Sequence, residues 1–541
     1  MASSSSYVLH FLILHILNFL LTGPNFISQL GFVSASIDDF SILDFDSDSN
    51  SFHGDYSPPS PPPPSPPPHP PSVSCEEDLK GIGSLDTSCR LNYSLNFTDD
   101  VYIEGIGNLY ILPGVVLSCP VAGCSFLVNI SGELRLGLNA EIIAGTVSVA
   151  AWNASLFDGS VINVTGLAGS PPEQTSGTPS GVQGAGGGHG GRGASCVMDN
   201  TKLPEDVWGG DAYSWSSLGE PWSYGSKGGT TNREHDYGGK GGGRIGFDIK
   251  SVVEVHGSLL ADGGDGGIKG GGGSGGSIYI KSYKMTGSGK VSASGGNGFA
   301  GGGGGRVSVN VFSGHDEPKF LVHGGKSFGC AGNSGAAGTF YDAVPRRLII
   351  SNYNMSTDTD TLLLDFPNQP LWTNVYIQNH AKATVPLLWS RVQVQGQLSL
   401  SCGAVLSFGL AHYALSEFEL MAEELLMSDS VIKVYGALRM AVKIHLMWNS
   451  KMLIDGDGDA IVTTSLLEAS NLVVLRESSV IHSNANLGVH GQGSLNLSGP
   501  GDLIEAQRLV LSLFYSISVG PGSVLRGPLE NASNNYVTPR L

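Results

Sequence analysis

The chain has 541 residues, 78 of them glycine, with 14% charged side chains and a formal net charge of −18. That balance excludes nucleic acid and anionic membrane surfaces as electrostatic partners, and it disfavours docking on acidic pectin by net charge alone. The length suffices for several domains or for one long repeat array.

Residues 1–35 read as a signal peptide. Val8 to Leu21 is apolar apart from His10, His15 and Asn18, and Val33-Ser34-Ala35 supplies a small-residue cleavage site. The run is short for a membrane span, and no second apolar stretch of spanning length follows. The expectation is therefore export into the secretory pathway, ending outside the cell, in a wall, or associated with the plasma membrane or vacuole. Eight N-x-S/T triplets agree with export as N-glycosylation acceptors: Asn92, Asn96, Asn129, Asn153, Asn163, Asn354, Asn496 and Asn531.

Residues 36–74 form an acidic and proline-rich linker without a packed core. Ser57 to Pro71 is dense enough in proline to adopt an extended polyproline II rod. Within it, Ser60-Pro61-Pro62-Pro63-Pro64 resembles the repeat of plant extensins, cell-wall proteins with hydroxylated and arabinosylated prolines; a stiff spacer is the plainer reading.

Residues 75–170 read as a small β region and N-terminal cap, with Cys75, Cys89, Cys119 and Cys124 inside it. Export makes disulfides the default for these thiols, and four cysteines allow three pairings. Cys119 to Cys124 would staple a tight turn. The first coil of a stack needs such a cover over its open end.

Residues 171–238 interrupt the pattern. Gly186-Gly187-Gly188-His189-Gly190-Gly191-Arg192-Gly193 precedes Cys196, and a polar loop then carries Trp208, Tyr213, Trp215, Trp222 and Tyr224. Insertions in repeat arrays gather on one face, often the binding face. Flat rings stack on sugar faces, so these five aromatics are the candidate glycan contact; an aromatic lid burying Trp for stability is the alternative. Cys196 and Cys330 bracket the next segment and would tie this loop down, leaving Cys402 as a buried free thiol.

Residues 239–345 carry the clearest repeat. Gly242-Gly243-Arg244-Ile245, Gly275-Gly276-Ser277-Ile278 and Gly304-Gly305-Arg306-Val307 recur at intervals of 33 and 29 residues. Each opens an alternating run (Ile245, Phe247, Ile249; Ile278, Ile280), with later runs ending at Ala261 and Ala293. Period-2 alternation at a fixed longer period means strands stacked in a solenoid. The fold class is thus all-β, a parallel β-helix with glycine at corners that need positive φ or close backbone approach. Residues 346–541 continue it with ordinary corners. Ser428 to Ile432, Ser450 to Ile454 and Ser478 to Ile481 recur there at 22 and 27 residues, and Leu415 to Met427 reads as strand-corner-strand rather than helix.

Several motifs dissolve on inspection. Gly272-Gly273-Ser274-Gly275-Gly276 fits G-x-S-x-G, but a glycine run precedes it and a strand follows, the reverse of a nucleophile elbow. Gly325-Lys326-Ser327 lacks the first glycine of a phosphate loop, because position 320 is Phe320. Asp455, Asp457 and Asp459 alternate as in a calcium loop, but Ala460 and Leu466 stand where it needs Gly and Glu, leaving only a weak surface candidate. Gly188-His189-Gly190 and Arg244-Ile245 resemble elements of polygalacturonases. The paired carboxylates that such hydrolases require are absent at close spacing, Asp99-Asp100 being the one pair and far upstream. No motif calls for a cofactor.

The mature chain as a whole resembles a plant family of glycine-rich proteins. The segments carrying the resemblance are the glycine repeat, Phe366 to Ile377 and Leu426 to Gly436. The family's members are longer, with hydrophobic spans near the C-terminus, so the resemblance implies an N-terminal portion. It brings no catalytic residues. The resulting expectation is a non-enzymatic, exported, glycosylated binding or structural ectodomain at the plant cell surface, with wall polysaccharide or an extracellular protein as partner. A polysaccharide hydrolase or lyase, and a receptor-like ectodomain for a protein ligand, are the alternatives.

Overall fold

A computed structural model describes residues 71–171, 177–179, 183–197, 207–213, 218–315, 318–364, 372–386, 390–410, 416–455 and 464–527, all within one compact unit. The signal segment and the linker up to Pro70 lie outside the described residues. The described chain is all-β and contains no helix.

Each coil has three strands and three corners. One face stacks Val101–Gly105, Ser125–Ile130, Thr146–Ala151 and Arg244–Ile249, then the first halves of Ser277–Thr286 and Arg306–His315, then Thr339–Asp342. A second face stacks Ser88–Leu91, Asn108–Ile111, Glu133–Leu136, Asn153–Leu156 and Val252–Val255, then the second halves of the two long strands. The third runs from Leu95–Asn96 to Lys319–Leu321. All these pairings are parallel. The register places Arg244 against Ser277, Ser277 against Arg306 and Arg306 against Thr339, so the 33- and 29-residue intervals are coil lengths. Ile245, Phe247, Ile249, Ile278, Ile280, Ala261 and Ala293 all point inward and are buried.

The open N-terminal end is covered by an antiparallel pair, Ile82–Ser84 on Ser88–Leu91, and stapled by the Cys75–Cys89 disulfide. Cys119–Cys124 closes the corner before Ser125–Ile130, and Cys196–Cys330 joins the insertion to the glycine segment. Three disulfides mark a chain that folds in an oxidising, extracellular or secretory compartment. Cys402 is exposed rather than buried: it sits at a corner with φ of 54°, where the backbone turns the side chain away from the core.

The glycine-rich corners are not simple corners. After the third-face strand the chain leaves the coil and returns, giving arms such as 261–266 with 271–276 and 293–297 with 301–305. Along 271–276 successive N–H groups donate to Gly229, Ala300, Gly264, Ser226, Gly303 and Ala261 carbonyls at 2.7–3.0 Å. Every third residue thus returns to the same neighbour: 229 and 226, 300 and 303, 264 and 261. Three residues per turn without internal hydrogen bonds is the polyproline II helix, here built of glycine and packed side by side. Positive φ is rare in this stretch, being found among the described residues of 239–345 only at Gly267 and Gly287. Glycine is required instead by contact, because a Cβ at Gly272 would lie 1.9 Å from the Gly296 carbonyl oxygen.

After Thr339–Asp342 the chain does not simply continue. It turns at 343–346 and pairs antiparallel through Arg347–Ser351, with Phe340 opposite Ile349. Strand direction is thereby reversed, and a second parallel solenoid grows from Arg347–Ser351 to Val524–Arg526 around its own apolar cluster. Glu417–Met421 and Glu424–Ser428 are two strands joined by a corner, as the sequence suggested. The recurrence near 430–481 is real but paired two residues away from the sequence alignment. Ile432 faces Met452 and Ile454 faces Ser483, intervals of 20 and 29 residues. A slip of two preserves which side chains point inward. The register follows a buried polar column: the Ser430, Ser450 and Ser479 amides donate in turn to Ser450 Oγ, Ser479 Oγ and Asp502 Oδ1, at 3.2, 3.3 and 3.0 Å.

Candidate functional site

The insertion runs as a strap over the first face. Trp222 covers Gly246, where a Cβ would meet its ring at 2.6 Å. The Ser277 and Ser308 hydroxyls donate to the Ser223 and Gly219 carbonyls, both at 2.7 Å, and Tyr279 donates to Glu220 at 3.3 Å. The strap therefore crosses successive coils, held by the residues that open each repeat.

Arginine and aromatic side chains interleave beneath it. The Arg244 guanidinium lies 4.3 Å from the Tyr224 ring centre and 4.9 Å from that of Trp222, and its Nε donates to Thr146 Oγ1 at 3.0 Å. Arg192 lies 3.8 Å from the Trp208 ring centre and pairs with Asp211 at 2.8 Å. Such stacked cation–π pairs contribute about 0.5–2 kcal/mol each. Tyr213 and Tyr224 are buried, so these two candidate glycan contacts have no ring face to offer a ligand; Tyr224 shares a 2.7 Å hydrogen bond with Thr146, and the Tyr213 hydroxyl donates to the Tyr224 carbonyl. Trp208 and Trp222 are each 37% exposed, with one face on an arginine. Trp215 lies outside the described residues.

Deeper still, His189 and Arg306 sit side by side in the glycine bundle. His189 Nδ1 is 2.8 Å from the Gly275 carbonyl, and its ring centre is 4.8 Å from that of Tyr213. Arg306 donates to the Tyr213 carbonyl at 3.0 Å and to Thr339 at 3.2 Å. Burial, then the Arg306 charge, push the His189 pKa down to about 3; burial raises that of Tyr213. His445, inside the second solenoid, is pushed down to about 4 by burial. Both histidines are neutral when folded, and the unfolded chain takes up their protons near pH 6.5. Below that pH the unfolded state binds more protons, so stability is full above about pH 6.5 and falls on acidification until the folded pKa values are reached. Each contributes a slope of about 1.4 kcal/mol per pH unit. We expect Tm to fall between pH 6.5 and 4, and His445→Leu to flatten that fall; an unchanged slope in the variant would refute the assignment.

The other sequence candidates resolve as structure. Ser274 is buried, donating to the Gly188 carbonyl at 3.1 Å and accepting from the Ser226 amide at 2.7 Å. Ser327 accepts from the Gly301 amide at 2.8 Å. Asp100 accepts from the Ser125 amide at 2.8 Å and shapes a corner. Asp455 is exposed and bonded to Asn484, whereas Asp457 and Asp459 lie outside the described residues; no cluster of metal-binding side chains occurs among the described residues.

Of the glycosylation candidates, Asn92, Asn96, Asn129 and Asn354 are exposed. Asn153, Asn163 and Asn496 are half-buried, with Asn153 accepting from the Val252 amide at 3.1 Å and Asn163 donating to Glu141 at 3.4 Å. Asn531 lies outside the described residues.

Sequence reasoning missed two surface features. One is a ridge of exposed aromatics at the corner between the first and second faces. Trp152, Tyr283 and Phe312 are 54%, 65% and 75% exposed. They fall in one column: the Trp152 carbonyl accepts from Ser251, the Ser251 carbonyl accepts from Lys284, and Tyr283 lies beside Phe312. The Tyr283 and Phe312 rings are 6.3 Å apart and inclined by only 22°. The signal was present as an aromatic residue just after the alternating run at 152, 283 and 312, but Lys250-Ser251 interrupts it on the coil between the first two. The other is a cleft on the outer surface of the second solenoid. Comparison with protein-family models, curated proteins and solved structures finds no match.

Proposed function

We propose that this chain is a non-enzymatic, exported binding ectodomain of the plant cell surface that holds an extended wall polysaccharide along its long axis. The aromatic ridge carries this reading. Successive strands of a parallel stack lie about 4.8 Å apart, close to the length of one sugar in an extended β-linked glycan. Trp152 and Tyr283 are two coils apart, with Lys250 on the coil between, and Phe312 is one coil further, its ring centre 6.3 Å from that of Tyr283. Aromatic rings in such a row offer flat apolar faces to sugars while the solenoid holds them at fixed separation. The resemblance to plant glycine-rich proteins and the oxidising compartment support the same setting.

The test is retention of the secreted protein on a panel of wall polysaccharides. Replacing Trp152, Tyr283 and Phe312 together by Ala is expected to weaken retention on β-glucans by at least about ten-fold, the effect of losing roughly 1.4 kcal/mol of ring contact. The triple variant should unfold at the parental Tm, since all three rings are exposed. Retention equal to the parent would refute the ridge as the contact surface.

A further inference from the structure

The second solenoid carries a cleft of about 480 Å³ lined by Arg439, Thr464, Leu466, Asn486, His490 and Arg508, among others. Its floor is a column of outward residues on three stacked strands: Leu466 faces Gly488, and Gly488 faces Val510. Gly488 makes the floor dip, for a Cβ there would press on Leu466 and His490 at 3.3 Å. Arg439 flanks Leu466 on the strand before, and Arg508 flanks Asn486 on the strand after. Both arginines are exposed, and neither has an acidic partner among the described residues. Glu419, paired with Arg391, stands in register with Arg439 on the strand before, and Glu468 stands in register with His490, so the positive potential is local to the two guanidinium groups over the apolar floor.

We infer that this cleft binds an acidic polysaccharide, with uronate carboxylates on Arg439 and Arg508 and sugar faces on the Leu466–Gly488–Val510 floor. This inference rests on the polysaccharide reading above and adds a second, chemically distinct contact. Arg439 and Arg508 stand three strands apart, about 14 Å along the axis. A single small anion cannot bridge that span, whereas a chain carrying one carboxylate per sugar can meet both. Guanidinium is suited to the planar carboxylate because it donates two parallel hydrogen bonds. Asn486 and Thr464 add neutral donors and acceptors for hydroxyl groups between the charges. Net charge argues against indiscriminate pectin docking, so recognition at this site depends on local geometry.

The experiment is calorimetric titration of the secreted full chain with hexagalacturonate, galacturonate monomer, cellohexaose and a polyglutamate of matched charge. Hexagalacturonate is expected to bind, to weaken with added salt, and to be at least about ten-fold tighter than the monomer. Arg439→Ala and Arg508→Ala are each expected to weaken it about ten-fold, with Tm unchanged, while Arg90→Ala on the first solenoid changes nothing. Parental hexagalacturonate binding in the Arg439→Ala/Arg508→Ala variant would overturn the assignment. So would polyglutamate binding as tightly through the same arginines, which would make the cleft an acidic-polypeptide site. If β-glucan retention through the ridge persists while hexagalacturonate fails to bind, this inference falls alone. If no polysaccharide of either kind is retained, the functional reading falls with it.

Discussion

Gly272→Ala is expected to destabilise the protein by at least about 3 kcal/mol, or to prevent its secretion. The added Cβ would lie 1.9 Å from the Gly296 carbonyl oxygen and 2.5 Å from its carbon. Both are backbone atoms inside a packed bundle, so no flexible side chain can move aside. Relief requires shifting the whole 293–297 segment, in which the Gly296 amide donates to the Gly273 carbonyl and the Gly296 carbonyl accepts from the Gly302 amide. Gly332→Ala is the matched control. Nothing lies within 4 Å of its Cβ position, and its φ is not positive, so alanine should be neutral or stabilising by about 0.4–1 kcal/mol through the unfolded chain. Thermal unfolding of the two variants separates the cause: equal Tm values would show that glycine density, rather than interhelical contact, is what the bundle needs.

Removing the Cys196–Cys330 disulfide as a double Ala variant should cost about 5 kcal/mol, against about 2 kcal/mol for removing Cys119–Cys124. The difference follows from loop length, because the first bridge spans 134 residues and the second 5. The long bridge also fixes the insertion to the last glycine arm, near where Asn333 donates to the Ser195 carbonyl at 3.0 Å. Its loss should therefore expose the strap to proteolysis while the second solenoid stays folded. Limited digestion with denaturant titration reads both effects. Equal costs for the two bridges would mean that the strap is held by its arginine–aromatic contacts alone.

Much of this architecture was legible in the chain. The Arg244, Ser277 and Arg306 alignment gave coil lengths and register directly, because alternation and glycine position both mark the same point of each turn. The second solenoid was harder. Its recurring serine-to-isoleucine segments identified the inward parity, but the register depends on the buried Ser430–Ser450–Ser479–Asp502 column, and serine is too common in corners to announce one. The reversal at 343–346 left no sequence mark beyond Pro345. The insertion's aromatics drew attention as a binding face, yet of their partners Thr146 lies 78 residues from Tyr224 and stands in register with Arg244, while Arg192 comes from the insertion itself. The exposed rings at 152, 283 and 312 are each unremarkable alone and become a row only when coils of unequal length are stacked.

The glycine bundle also responds to cold differently from the apolar cores of the two solenoids. It is held by backbone hydrogen bonds between helices that have almost no side chains, whereas the second solenoid is held by leucine, isoleucine, valine and methionine. Exposing apolar surface raises the heat capacity on unfolding and exposing peptide groups lowers it. The bundle therefore unfolds with a small heat-capacity change per residue, and its stability curve is flat. Apolar burial weakens as water cools; a lattice of peptide groups does not share that loss. Near freezing, the part of the molecule poorest in side chains is the part that keeps its shape best.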